Sequence, residues 1–420
     1  MKLYHGDCLE ELKKIPDNSV DSIVTDPPYG LSNTKPAQVA DVLKAWVTGD
    51  TVSVPAKKGG FMGKDWDSFV PPPAVWEECY RVLKPGGHMA VFAGTRTQDL
   101  MGLSIRLAGF EIREQLNWIY GSGFPKSMDV SKAIDKAAGA EREVLSERPA
   151  YGIGGKGILN GHSEGATAKV TAPATDEAKQ WEGWGTALKP ATEPIVLARK
   201  PLEGTVANNV LTYGTGGLNI DACRVGDDVR PKGASTGEVL SENSSMSGPN
   251  TGRTVVGTVT GRFPANVLLD EHAAEAMDEQ SGNVRGVIGM KKVSGGHNFN
   301  IGEHTSQKFN KTSGQIKDSG GASRFFSVFK YQAKAPKKER PVVEKEDGTK
   351  VQHPTVKPVA LMEWLVTLVT PPNGVVLDPF AGSGTTLQAA LNEGFDPIGV
   401  EQDVDYIQLI NKRLDTTIER

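Results

Sequence analysis

An α/β fold on a mainly parallel, doubly wound sheet is predicted by three observations. Short apolar strands alternate with helix-period segments at both ends of the chain, two of those strands run directly into Asp-Pro sequences, and the middle of the chain lacks this rhythm. At 420 residues the chain is long enough for one large core and a substantial second unit. The expected division is 1–120, an inserted irregular region at 121–340, and 341–420.

The first segment sets the pattern. Val20 to Thr25 is an apolar strand that leads into Asp26-Pro27-Pro28-Tyr29. Trp76, Cys79, Tyr80 and Leu83 then fall at i, i+3, i+4 and i+7, one face of a helix, which Pro85-Gly86-Gly87 should stop. His88 to Ala93 reads as a strand, Thr97 to Leu107 as a helix, and Phe110 to Arg113 as a further strand. The last segment repeats the rhythm. Leu361, Trp364, Leu365 and Leu368 share a helical face before Pro371-Pro372, and Val375 to Asp378 is a buried strand. A helix carrying Leu387, Ala390 and Leu391 follows, then the strand Ile398 to Val400 ending at Glu401, and a final helix with Val404, Ile407, Ile410 and Leu414 on one side. Between these segments, residues 121 to about 335 are rich in Gly, Ser, Thr, Asn and Pro, with isolated strand signals such as Ile195-Val196-Leu197. A stretch of that length is better read as an inserted domain than as one loop.

Charge and cysteine content narrow the function classes. Three cysteines, Cys8, Cys79 and Cys223, have no metal-site or disulfide spacing, and no metal is expected. The net charge is −4, yet from Val284 to Arg340 twelve Lys or Arg face three acids, a footprint suited to phosphate. Lys291, Lys292, Lys308, Lys311, Arg324 and Lys330 are the candidate DNA contacts in this stretch, with a solvated basic hinge as the bland alternative. Phe325-Phe326 is read as core rather than as a base-stacking pair, and Trp181 and Trp184 as a packing cluster or a base wedge. No run approaches the length of a membrane span and the first residues lack a signal-peptide pattern, so a cytoplasmic protein with no membrane partner is expected.

Two motifs carry chemistry. Asp26-Pro27-Pro28-Tyr29 sits at the carboxyl end of a strand, where open parallel sheets present functional groups. An amino group on an aromatic base is a poor nucleophile, because its lone pair is shared with the ring. Acceptors that pull on its hydrogens restore that lone pair, and the Asp26 carboxylate with a proline carbonyl would supply two. Proline has no N–H and a fixed φ that holds its carbonyl still. Tyr29 offers a flat surface for an extruded base. Taken alone, the same tetrapeptide could be an ordinary turn.

The second motif is Asp378-Pro379-Phe380-Ala381-Gly382-Ser383-Gly384-Thr385-Thr386, a strand, a glycine turn and a helix, with Glu401 at the end of the next strand. Glycines let backbone approach a ligand, and an acid at that second strand end can accept from ribose hydroxyls. The dinucleotide fingerprint and the phosphate-loop lysine are both absent, which leaves a nucleoside-like cofactor without phosphate.

Together the motifs resemble the amino-methyltransferase family of DNA-modifying enzymes, in its beta-class order with the catalytic motif first and the cofactor loop about 350 residues later. His353-Pro354-Thr355-Val356-Lys357-Pro358 and Gly6-Asp7-Cys8-Leu9 are similar to two smaller family segments. The resemblance covers about 1–120 and 340–420. It implies a Rossmann-like, circularly permuted sheet that binds S-adenosylmethionine, with target recognition in the insert. It also implies transfer of a methyl group to N6 of adenine in double-stranded DNA by base flipping. Asp26, Pro27, Pro28 and Tyr29 would be catalytic. Asp378, Pro379, Phe380, Ala381, Gly382, Gly384 and Thr385 would line the cofactor, with Glu401 on its ribose. Thr355 and Lys357 would contact its methionine end, and Asp7, with Cys8 beside it, its adenine. Relatives often form homodimers, which leaves oligomeric state open. N4 of cytosine is the nearest alternative target, and a catalytically silent DNA-binding subunit the alternative of another class.

Overall fold

The computed structural model describes the chain except for residues 33, 56–66, 122, 124–126, 150–166, 235–253, 286–318, 330–339, 346 and 419–420. Its centre is a nine-stranded sheet whose strands, in chain order, are β1 (Lys2–His5), β2 (Val20–Thr25), β3 (Leu83–Phe92), β4 (Glu111–Ile119), β5 (Thr192–Arg199), β6 (Val267–Asp270), β7 (Ser327–Phe329), β8 (Val375–Asp378) and β9 (Asp396–Glu401). They lie side by side in the order β1-β9-β8-β2-β3-β5-β4-β6-β7. All neighbours are parallel except β5, which runs against both β3 and β4. The predicted α/β class and mainly parallel sheet are thus observed.

The first and last segments interleave as the permuted order requires. From β8 the chain crosses to β9 on one side, whereas from β2 it crosses to β3 on the other. The two parallel strands from which these connections diverge are neighbours, with Val376 opposite Ser22 and Leu377 opposite Ile23. This is a topological switch point, where the diverging connections leave a crevice beyond the carboxyl ends of the strands. β2 is buried along its whole length, as a central strand of a parallel sheet covered on both faces is. Leu12, Trp76 and Met89 are fully buried in the core on one side, and Phe92, Leu365 and Leu361 in that on the other. Each such aliphatic side chain contributes about 1.5–3 kcal/mol relative to exposure.

Three expectations are corrected. The helix of Trp76 ends at Val82, and Leu83 already begins β3. The pairing with β2 jumps from Val20–Leu83 to Ser22–His88, so Pro85-Gly86-Gly87 forms a bulge within the strand rather than a loop after the helix. Gly86 has φ +75°, and a Cβ there would lie 2.4 Å from Asn209 Nδ2, whose amide donates to the Pro85 carbonyl at 2.9 Å. Next, the strand expected at Phe110–Arg113 runs as β4 to Ile119, because its polar residues are paired with β5 and, further along, β6. Finally, residues 121–340 are not wholly irregular or separate: they supply β5, β6 and β7. Ile195, Val196 and Leu197, buried at the centre of β5, are the signal that showed through.

No helix among the described residues is long and apolar enough to cross a membrane.

Candidate active site

The Asp26-Pro27-Pro28-Tyr29 motif begins where β2 ends. Asp26 and Tyr29 face one another, and the Tyr29 hydroxyl donates to Asp26 Oδ1 at 2.8 Å. Two hydrogen bonds and a glycine fix the turn. Thr97, which caps the helix Gln98–Leu107, donates its hydroxyl to the Tyr29 carbonyl at 2.6 Å. Gly30 N donates to Asp67 Oδ1 at 2.9 Å. Gly30 has φ +65°, and a Cβ there would lie 2.7 Å from Val70 N, so no other residue fits. Pro27 is buried, while Pro28 and Tyr29 are half-buried.

Lys357 completes this corner. Its ammonium donates to the Tyr29 hydroxyl at 2.9 Å and to Glu193 Oε2 at 2.8 Å, and lies 3.2 Å from Asp26 Oδ2. It also sits over the rings of Phe92 and Tyr29, 4.8 and 5.3 Å from their centroids. Burial alone would lower the Lys357 pKa, but the Asp26 and Glu193 carboxylates outweigh it and hold the ammonium above the usual lysine range. Burial raises the Tyr29 phenol well above its ordinary value, and Asp26 and Glu193 add to that. The tyrosine therefore stays protonated. The resemblance implies Lys357 at the methionine end of the cofactor; in this structure its ammonium contacts Asp26, Tyr29 and Glu193.

The glycine loop stands beside it, after β8. Thr25 Oγ1 donates to Asp378 Oδ1 at 2.7 Å, joining the last residue of β2 to the last of β8, and Phe380 N donates to the same oxygen at 3.1 Å. Burial pushes the Asp378 carboxyl up to about 6, against the Thr25 and Thr386 hydroxyls and the Phe380 amide, which favour its ionised form. Gly382 and Gly384 take φ +53° and +79°, a left-handed turn suited to glycine, and Gly384 caps the helix Thr385–Asn392. Ala381 N donates to the Val400 carbonyl at 2.9 Å, and Thr385 is buried at the helix start behind the loop. Phe380 packs against Trp76, ring centroids 6.3 Å apart. Arg413 of the C-terminal helix ties the loop from behind, donating to the Ser383 carbonyl at 2.6 Å and to Gln388 Oε1 at 2.8 Å.

Glu401 ends β9 as expected. Its Oε2 accepts from Gly382 N at 2.7 Å and its Oε1 from Asp403 N at 2.8 Å. Burial raises its carboxyl to about 7, with those two amides opposing the shift. Asp7 is exposed and caps the helix Cys8–Leu12 by accepting from Leu9 N at 2.9 Å. Burial pushes the Cys8 thiol up to about 12, which keeps it protonated and unreactive. Thr355 is exposed, and its carbonyl meets the ring of His353, which packs edge-on against Tyr406 with centroids 4.6 Å apart. His353 Nε2 would lie 3.1 Å from a Cβ on Gly382, so this segment covers the glycine loop.

Among the candidate DNA contacts, Lys291, Lys292, Lys308, Lys311 and Lys330 lie outside the described residues. Arg324 is engaged with its own chain: it donates to the Gly320 and Gly321 carbonyls, both at 2.6 Å, and stacks 4.3 Å from the Phe325 centroid. Phe325 is 44% exposed and flanked by a second guanidinium, from Arg262, which corrects its reading as core. Trp181 and Trp184 form an exposed edge-to-face pair with centroids 4.9 Å apart. The residues that the sequence reading missed are Thr25, Asp67, Glu193 and Arg413. Thr25 could have been found, as a hydroxyl immediately before the catalytic acid.

The N6/N4 DNA methylase family model matches residues 20–412. The type II methyltransferase M.HindIII of Haemophilus influenzae is 23% identical over 98% of this chain and 94% of its own length. The DNA adenine methyltransferase YhdJ of Escherichia coli is 34% identical over 29% of this chain and 33% of its own, and M.BamHI of Bacillus amyloliquefaciens 38% over 22% and 17%. The chain thus spans a third or less of the length of these last two relatives. Among solved structures, the cytosine-N4-specific PvuII DNA methyltransferase aligns with a TM-score of 0.42 and 14% identity over 99% of this chain and 89% of its own. A putative DNA modification methylase from Thermus thermophilus, complexed with S-adenosylmethionine, aligns at 0.40 and 16% over 99% and 95%. On the match across residues 20–412, the chain belongs to the N6/N4 DNA methylase family.

Proposed function

We propose that this protein transfers a methyl group from S-adenosylmethionine to an exocyclic amino group of a base in double-stranded DNA, and that the group is N6 of adenine. The observation that carries the reading is the 2.7 Å bond from Thr25 to Asp378, which sets an amino-polarising acid directly beside a glycine loop with an acid at the next strand end. Family membership supplies the DNA, and the Asp at position 26 favours adenine.

The donor set fits the cofactor. Side chains framing the glycine loop at the strand ends are the carboxylates of Asp378 and Glu401, and the loop itself carries neither Lys nor Arg. Such a set suits ribose hydroxyls and a sulfonium and disfavours phosphate. The cofactor supplies a methyl group on positively charged sulfur. Glu401 would accept from the ribose hydroxyls, Phe380 and the glycine backbone would shape the adenosine pocket, and the His353–Lys357 segment would close it.

For the substrate, the duplex hides the amino nitrogen, so the base must leave the stack. Tyr29 would stack on it. Asp26 and the Pro27 carbonyl would accept its two amino hydrogens, concentrating the lone pair on nitrogen and pointing it at the methyl group. Alignment and fixed dipoles are then the main sources of rate. The surplus proton leaves to solvent afterwards.

The test is to incubate the protein with methyl-labelled cofactor and unmethylated genomic DNA, then digest and identify the labelled nucleoside. Label in N6-methyladenine is expected. Label in N4-methylcytosine would overturn the base assignment alone, and unlabelled DNA despite cofactor binding would overturn the activity.

A further inference from the structure

In this structure both oxygens of the Asp26 carboxylate are already in use. Oδ1 takes the Tyr29 hydroxyl, and Oδ2 lies 3.2 Å from the Lys357 ammonium. An incoming amino group must compete with these donors for the Asp26 carboxylate, whose oxygens can each accept more than one hydrogen bond but share them less strongly. The Lys357 side chain is 12% exposed and has three hydrogens for three acceptors: Asp26, Tyr29 and Glu193. Glu193 is the closer of its two carboxylates, at 2.8 Å.

Resting on the reading of Asp26 as the amino-polarising group, we propose that Glu193 is a positioning residue that holds Lys357 while Asp26 exchanges the ammonium for the amino group of the base. The charges require such a partner. A half-buried ammonium cannot be left alone when its carboxylate is taken by a neutral donor. With Glu193 present, Lys357 keeps a full ion pair throughout, and Asp26 is released at little cost. The corner of Asp26, Lys357 and Glu193 then carries one net negative charge, held on Asp26 where the base arrives. Without Glu193 the corner is neutral, Lys357 has Asp26 as its only carboxylate there, and the ammonium competes directly with the substrate.

Lys357 thus acts as a plug whose strength Glu193 sets. Tyr29 is less exposed to the competition, because its hydroxyl can accept from Lys357 and donate to Asp26 at once. Glu193 comes from the first residues of β5, in the region between the two motif-bearing segments of the chain, and reaches the site because β5 is antiparallel: Phe92 at the end of β3 pairs with Ile195 near the start of β5.

The experiment compares wild type with E193Q, K357M and the double variant, measuring steady-state methylation of genomic DNA and cofactor affinity by calorimetry. Gln is isosteric with Glu and the Glu193 side chain is 26% exposed, so E193Q should fold, which its thermal transition checks. The expected result is a loss of turnover in E193Q of about tenfold, within the range by which adjacent charged groups couple. Cofactor affinity should be unchanged. Adding K357M to E193Q removes the plug and returns the corner to one negative charge, so the double variant should turn over faster than E193Q. A Glu193 that merely supported the strand would give no such suppression. Wild-type turnover in E193Q overturns the proposal, and so does an E193Q defect that K357M leaves alone or deepens. Absence of DNA methylation by the wild type is a different failure, that of the proposed activity itself.

Discussion

Replacing Thr25 by Val tests the joint between the two motifs. The change keeps the shape of a fully buried side chain but removes the hydroxyl that reaches Asp378 Oδ1 at 2.7 Å. A hydrogen bond to a charged group is worth about 1.5–3 kcal/mol, and one between neutral groups about 1 kcal/mol. Which value applies depends on the proton at Asp378. Burial raises that carboxyl from the ordinary 3.8 to about 6. Between those values the folded state binds more protons than the unfolded, so wild-type stability falls as pH rises through the window and levels off above it. At pH 8 the carboxylate is ionised and Thr25→Val should cost the full 1.5–3 kcal/mol, roughly, as for a charged acceptor. At pH 5 Asp378 is protonated in both proteins, and the cost should shrink to about 1 kcal/mol. Losing the hydroxyl also moves the carboxyl further up, which widens the difference. Urea unfolding followed by tryptophan fluorescence at the two pH values measures it, with Thr25→Ser expected near wild type. Ser22→Ala, which removes a buried neutral bond to Thr370 at 2.8 Å, is the control and should cost about the same at both. An equal loss for Thr25→Val at pH 5 and pH 8 would refute the account of Asp378 as a buried titrating acid that Thr25 holds ionised.

Other outcomes follow from the same geometry. Asp26→Ala should lower turnover by about 100-fold or more while cofactor binding by calorimetry stays near wild type, since the residue polarises the substrate and touches no part of the glycine loop. Gly382→Ala forces a Cβ into a φ of +53° and to 3.1 Å from His353 Nε2. It should cost about 1–2 kcal/mol in denaturant unfolding, the left-handed penalty, and weaken cofactor binding as His353 gives way. Burial places the Glu401 carboxyl at about 7, so cofactor affinity should rise as pH increases through that value, where the acid ionises and regains full accepting capacity. A flat affinity profile across that range would remove Glu401 from the ribose, and Glu401→Gln supplies the pH-independent reference.

Much of the fold was legible because its information is local. The β2 and β8 strands are short, carry apolar runs and end at Asp-Pro, and both were found to the residue. Helices with apolar residues at i, i+3 and i+4 were found with small errors at the ends. The misreadings share one cause. Pro85-Gly86-Gly87 breaks a helix by its own chemistry, but whether it then becomes a loop or a bulge is decided by Asn209 and Thr215, which donate to the Pro85 carbonyl from more than 120 positions away. In β4 the exposed Arg113-Glu114-Gln115 interrupt the apolar pattern, yet pairing with β5 on one side continues the strand. Local propensity sets the candidates, and sheet neighbours choose among them.

The site shows the same division more sharply. Three of the candidate residues that the sequence singled out lie at the end of a parallel strand or in the turn after it, the edge where such sheets expose chemistry: Asp26 after β2, Asp378 at β8, Glu401 at β9. Glu193 obeys the same geometry but breaks the sequence rule. It lies near the start of β5, and an antiparallel strand begins at the edge where its parallel neighbours finish, as the pairing of Trp118 near the end of β4 with Glu193 records. Nothing in Thr192-Glu193-Pro194 marks it, since an acid before a proline is common turn chemistry. Its partner Lys357 is 164 positions away, and their 2.8 Å contact exists only once β5 has inserted between β3 and β4. In a mixed sheet of this order, then, a search for the site has to take the ends of the parallel strands together with the start of the antiparallel one. Here that search adds Glu193, which among the described residues is the carboxylate besides Asp26 that pairs with Lys357.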